Sequence, residues 1–129
     1  MTTQKVESAE VAADKEAGVN EVRLVGTLGK EPVVRELPSG DTLVTLQVNV
    51  RRPAQPAGQE PPPRKQVDPI DCAVWAARLQ RSVGKWHEGD VVEVAGAVRR
   101  RFFQAGGAVA SRVEIEVARA KLIRRAGSG

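Results

Sequence analysis

The chain has 129 residues, of which 41% are apolar and 3% aromatic, enough for one hydrophobic core and not for two. Twenty Lys and Arg stand against sixteen Asp and Glu, a formal charge of +4; the first nineteen residues hold two of these cations and four of the anions, so the remainder carries 18 against 12, or +6. A single cysteine and a single histidine exclude an intrachain disulfide and a multi-cysteine metal centre. No apolar run reaches the roughly 18 residues of a membrane-spanning helix, and the start lacks the apolar stretch of a secretory signal, so a soluble, cytoplasmic protein suited to a polyanion is expected.

Residues 1–19 are polar, rich in Ala and Glu and poor in large side chains, and read as a disordered N-terminal arm. A single folded domain is expected over 20–124, followed by a short disordered tail, 125–129. From Asn20 the pattern becomes period two: Val22, Leu24, Gly26 and Leu28 share one side of a first strand, and Val44, Leu46, Val48 and Val50 share one side of a second. Pro38-Ser39-Gly40-Asp41 supplies the turn of a first hairpin between them. Residues 51–67 hold five of the eight prolines and form a long flexible loop, with Arg51 and Arg52 at its entrance.

A third strand ends in PIDCAVW, where Ile70, Cys72 and Val74 face one way and Pro69, Asp71, Ala73 and Trp75 the other. Trp75, Leu79, Val83 and Trp86 then recur at the spacing of a short amphipathic helix. Two long runs, 90–103 and 109–123, are joined by QAGGA, whose glycines permit the positive φ of a tight hairpin, and together make a long finger. The order β-β-β-α-β-β makes the chain all-β: a five-stranded OB-fold barrel with one short helix between strands three and four.

Strand parity separates the core from the outside. In the fourth strand Val92, Val94, Gly96 and Val98 belong to the core side, while Arg99, Arg101 and Phe103 share the outer side with Glu93, Ala95 and Ala97. In the fifth, Val109, Val113, Ile115 and Val117 are expected inward and Ala110, Arg112, Glu114 and Glu116 outward. An outward ring beside guanidinium groups suits single-stranded nucleic acid, because cations track phosphates while bases stack on the ring. The competing reading is a bulge that shifts the register and packs Phe102 or Phe103 on a neighbour. Trp75 fits both a stacking surface and the Leu79/Val83 helical stripe.

Catalytic chemistry has little material. Cys72 lies on an apolar parity, His87 has no evident partner, and Glu114 with Glu116 is the ordinary pattern of an exposed strand face. GTLGKE, residues 26–31, has its glycines too close for a phosphate loop and Glu31 where Ser or Thr must meet magnesium. No enzyme, cofactor or metal is expected.

Asn20–Val48 (NEVRLVGTLGKEPVVRELPSGDTLVTLQV) followed by Ala73–Arg101 (AVWAARLQRSVGKWHEGDVVEVAGAVRRR) resembles the bacterial single-stranded DNA-binding proteins. The likeness covers about residues 20–123 and rests on N-x-V-x-L-V-G-x-L-G, the P-S-G turn and E-G-D-x-V-x-V-x-G ahead of a basic strand. It implies sequence-independent binding and protection of single-stranded DNA in replication, recombination or repair. By motif position, Trp75 matches the aromatic closing the third strand, Phe103 the aromatic at the tip of the fourth, and Arg99 and Arg101 its basic strand. With Arg51 and Arg52 at the loop entrance, the candidate DNA-binding set is Arg51, Arg52, Trp75, Arg99, Arg101 and Phe103, and the resemblance implies a homo-oligomer, commonly a tetramer, near the nucleoid.

The sequence departs from the family pattern at three places. Pro69 replaces an aromatic, the loop after Arg52 lacks a tryptophan, and no glycine/proline-rich tail ends in an acidic tip. An accessory paralogue without tip-mediated protein partners is the corresponding expectation. Binding of single-stranded RNA, or a protein-interaction module with little nucleic-acid affinity, are the alternative functions for the same barrel.

Overall fold

The computed structural model describes residues 18–53 and 66–127. Most of the expected N-terminal arm, the centre of the proline-rich loop with Arg64 and Lys65, and residues 128–129 lie outside the described residues. The elements are β1 (Val22–Leu28), β2 (Val33–Glu36), β3 (Thr42–Arg51), β4 (Val67–Val74), α1 (Ala77–Val83), β5 (Val91–Ala105) and β6 (Ala108–Arg124). They form one sheet in the order β1-β5-β6-β4-β3-β2, and β1 also pairs with β3 through Thr27↔Asn49 and Leu28↔Val48. That last contact closes β1, β3, β4, β5 and β6 into the expected five-stranded OB-fold barrel, with its helix between the third and fourth barrel strands.

β2 is an addition to the expected order. The Pro38–Asp41 turn joins β2 to β3, with Glu36↔Thr42 as the innermost pair and Gly40 at φ 92°. The first hairpin is therefore the β2–β3 arm, and the two long runs expected to form it meet only at the barrel seam. The strands flanking the proline-rich segment also run further than expected: Arg51 and Val67 are paired partners at the ends of β3 and β4.

Alternation built the core. Leu28, Val48, Val74, Val83, Val92 and Val94 are fully buried, and Leu79 and Trp86 close one end of the barrel with Val83. The i, i+4 pair Leu79/Val83 gives a helix of seven residues its buried face. Trp75 is outside this cluster and 38% exposed.

Parity fails in β6, for a local reason. One extra β6 residue, Ile123, falls between the pairs Val91↔Arg124 and Val92↔Leu122, and another, Ala118, between Ala95↔Arg119 and Gly96↔Val117. Each bulge flips the facing of the residues beyond it, so Ile115 and Val117 point inward on odd numbers while Ala120 and Leu122 pack against the core on even ones. Gly96 sits at the second bulge, where any Cβ would run into the Glu116 carbonyl oxygen. Val98, Val109 and Val113, expected in the core, are exposed. They lie on the inward-facing side, but β1 stops pairing with β5 at Gly96 and β4 pairs β6 only at Ile115 and Glu116, so no strand among the described residues covers the ribbon beyond. Glu114, expected exposed, is 8% exposed.

The barrel end is held by a buried carboxylate. Asp90 is 1% exposed; its Oδ2 accepts the His87 N–H at 2.9 Å and the Arg125 guanidinium at 3.2 Å, and its Oδ1 accepts the Ala126 N–H at 2.7 Å. Burial pushes this carboxyl up, but the two amides and Arg125 outweigh it and hold it below the usual value. Arg125 and Ala126 thus belong to the folded body. Next to this turn, His87 does have a partner: its Nδ1 lies 2.9 Å from Glu31 Oε1, and Glu31 Oε2 accepts the Glu88 N–H.

A candidate nucleic-acid interface on the outer face

Between Gly96↔Val117 and Ala105↔Ala108 the pairing of β5 with β6 is uninterrupted. The bulges lie elsewhere, so the parity of β5 holds and Arg99, Arg101 and Phe103 share one side of the sheet. Their cross-strand partners on that side are Glu114, Arg112 and Ala110. β4 joins β6 in register at Ala73↔Glu116, and β3 joins β4 at Thr45↔Ala73, Gln47↔Asp71 and Asn49↔Pro69. One continuous outer face therefore carries Thr45, Gln47, Asn49 and Arg51 of β3, Asp71 of β4, Arg112, Glu114 and Glu116 of β6, and Arg99, Arg101 and Phe103 of β5.

Trp75 follows the last residue of β4, at the rim of this face. The Gln80 side-chain amide fixes the chain there by donating to the carbonyls of Thr42 at 2.8 Å, Val74 at 3.0 Å and Trp75 at 3.2 Å. Phe103 is 42% exposed near the finger tip, beyond the reach of the barrel core. The tip is the two-residue turn Gly106-Gly107, with φ of 58° and 84°, the primed hairpin geometry that continues the strand twist.

The arginines do not stand alone. Arg112 donates to Asp71 at 2.9 Å, Arg99 to Glu116 at 3.4 Å, and Arg101 Nε lies 3.8 Å from Glu114. The Nε of Arg101 is buried and, among the described residues, has no hydrogen-bond partner. Arg101 also borders a cavity of about 110 Å³ to which Lys30, Arg35, Arg101 and Arg112 bring four cations, against Asp71 and Glu114. Arg35 comes from β2, so the strand that alternation did not reveal supplies a wall of this cavity. Arg112 carried a readable sign, its even parity in β6; Arg35 carried none, since a four-residue strand gives too little alternation to detect.

Arg51 and Arg52 separate from each other. Arg51 ends β3 on the outer face and is exposed. Arg52 forks onto Asp68, with Nη2–Oδ1 at 2.9 Å, and donates Nη1 to Gln66 Oε1 at 3.1 Å, while its backbone N–H bonds the Gln66 carbonyl. These hydrogen bonds, with the guanidinium charge, hold the Asp68 carboxyl below its usual value. The structure thus brings Arg99, Arg101, Phe103 and Arg51 onto one face and Trp75 to its rim, and ties Arg52 into a clasp at the base of the proline-rich segment. Chemically, the face offers partly neutralised guanidinium groups beside exposed rings, an arrangement that holds a flexible polyanion bearing planar groups.

Residues 19–123 match the model of the Single-strand binding protein family. Over 86 residues the chain is 30% identical to Single-stranded DNA-binding protein 3 of Listeria innocua and 28% identical to the Single-stranded DNA-binding protein of Oceanobacillus iheyensis. Each alignment covers 67% of this chain and 51% of the relative, so the chain spans about half the length of the curated relatives it matches. Among solved structures, the fold is similar to a chain of "Plasmodium falciparum SSB complex with ssDNA", with a TM-score of 0.66, 20% identity, and coverage of 83% of this chain and 95% of that one.

Proposed function

The chain belongs to the single-strand binding protein family, and from that premise we propose that it binds single-stranded DNA without regard to sequence, through the outer face of its barrel. The observation that carries this reading is the β5–β6 register, unbroken from Gly96 to Ala105, which sets Phe103, Arg101 and Arg99 in one row with Arg112 across from them. Phosphates track the guanidinium groups and one base stacks on Phe103, a second on Trp75. A phosphate at the cavity beside Lys30 and Arg35 would meet four cations, Arg101 and Arg112 among them.

The three carboxylates on the face leave its centre without a net charge, so the excess that attracts DNA comes from Lys30, Arg35 and Arg51 around it. The protein acts by binding and protecting strands in replication, recombination or repair, with no catalytic step, in the cytoplasm, and as a homotetramer like the family it belongs to. Among the described residues no helix is long and apolar enough to cross a membrane.

The test is a titration of tryptophan emission with oligo-dT at graded salt. Stacking on Trp75 quenches it, and the logarithm of affinity falls against the logarithm of salt by about 0.7 for each phosphate neutralised. Retention of full emission with no salt dependence would reject the reading; light scattering on the same samples gives the subunit number.

A further inference from the structure

The finger has a second side. Opposite the row of Arg99, Arg101 and Phe103, the pairs Val98↔Ile115, Arg100↔Val113, Phe102↔Ser111 and Gln104↔Val109 turn to the other face of the ribbon. Beyond Val98 no strand or helix among the described residues covers this face: Phe102 is 65% exposed, Val109 66% and Val113 49%. Arg100 projects into the same row and donates to Ser111 Oγ at 3.1 Å, which holds its guanidinium beside the position opposite Phe102. From Val98 to Val113 this side carries one cation and no carboxylate, whereas the three arginines of the outer face each face an acid.

We propose that Phe102 and Arg100 form a second stacking-and-phosphate platform on the reverse side of the finger, so that one DNA strand leaving Phe103 rounds the free edge of β5 and continues there. The inference rests on the proposed DNA binding and extends it from a face to a wrapped finger. The edge is open for such a passage. The side chain of Asn20 takes both the N–H and the C=O of Val98, at 2.8 and 2.7 Å. Past that point β5 has no neighbour on the side away from β6 among the described residues. The alternation that aims the polar groups of Val98 outward does the same for Arg100 and Phe102.

The charge argues for a polyanion over a second copy of the chain. Two copies stacking this face about a two-fold axis would enclose two Arg100 guanidinium groups in one contact, with no carboxylate of this face on either side to offset them. A strand of DNA meets the same face with a phosphate for the guanidinium and a base for the ring.

The experiment compares the parent chain, Phe102→Ala and Phe103→Ala by anisotropy of labelled dT oligomers of increasing length, starting at the shortest that binds within the range of about 4 to 16 nucleotides for one OB-fold. Phe102→Ala is expected to bind the shortest oligomer as the parent does and longer ones about ten-fold more weakly, while Phe103→Ala is weaker at every length. Parent-like affinity of Phe102→Ala at every length, with Phe103→Ala impaired, overturns the second platform and leaves the first intact. A change in sedimentation mass of Phe102→Ala with unchanged affinity overturns it in favour of a contact between copies. A parent that binds no oligomer rejects both readings together. Because Phe102 is exposed, melting temperature and sheet signal of the variant should match the parent.

Discussion

Replacing Asp90 by Asn tests whether the buried carboxylate holds the barrel end together. The substitution keeps the shape of the side chain but leaves one acceptor oxygen where there were two. The two oxygens now accept three donors, at 2.7, 2.9 and 3.2 Å. An NH₂ in place of Oδ1 would point at the Ala126 N–H; in place of Oδ2 it would meet both the His87 N–H and the guanidinium. Either flip leaves at least one amide facing a donor, at about 1–3 kcal/mol, and removes the charge assistance of the rest, for a total of about 3 kcal/mol. With unfolding entropy of roughly 0.2 kcal/mol/K for a domain of this size, melting falls by on the order of 10–15 °C at pH 7.

The pH dependence fixes the cause. The folded Asp90 carboxyl sits below its unfolded value of about 3.9, so its stabilisation is complete above that pH and is lost as pH falls through the lower folded value. Thermal melts followed by circular dichroism should show a constant gap between parent and Asp90→Asn above about pH 5 and a narrowing gap in acid. A variant melting within two or three degrees of the parent at pH 7, or a gap that persists unchanged into acid, would refute the assigned role.

Three further outcomes are expected. Glu116→Gln frees Arg99 and removes one repelling charge from the face, so single-stranded DNA binds about three-fold more tightly at low salt, with the gain fading as salt rises; unchanged affinity at low salt would place the DNA path away from β6. Asn20→Ala deletes both side-chain hydrogen bonds to Val98 and lowers stability by about 1 kcal/mol, read as a shift of the urea midpoint at unchanged slope. Burial pushes the Cys72 thiol up to about 12, so a thiol-reactive disulfide reagent at pH 8 should modify the native protein only at the rate at which it unfolds.

The legible part of the molecule is the part where alternation runs without interruption. In β3 the even positions Val44, Leu46 and Val48 are buried, and β5 keeps one parity from Val92 to Phe103 because its irregular pairings put the extra residue on its partner. The outer row of Arg99, Arg101 and Phe103 followed directly. In β6 the same rule misplaced Val109 and Val113: facing is local, whereas burial depends on which other strands reach that far, and neither β1 nor β4 does. Nothing in Ala118 or Ile123 marks a bulge; the one trace is Gly96 across the ladder, which a close carbonyl requires. β2 escaped notice because four residues cannot establish a period. The side-chain pairings also lay beyond the sequence: Arg52 with Asp68 and Arg101 with a buried Glu114 at the site, and His87 with Glu31 at the barrel end, are set by which segments become neighbours.

A single carboxamide, that of Asn20, impersonates the next residue of β1 and ends the growth of the sheet along that rim. Among the described residues the projecting hairpin is two strands wide over its outer half. Such narrow ribbons coil more tightly than broad sheets and have little rigidity of their own. The bearing of the tip relative to the barrel is therefore expected to follow whatever lies against it, as a pliant lever on a stiff drum.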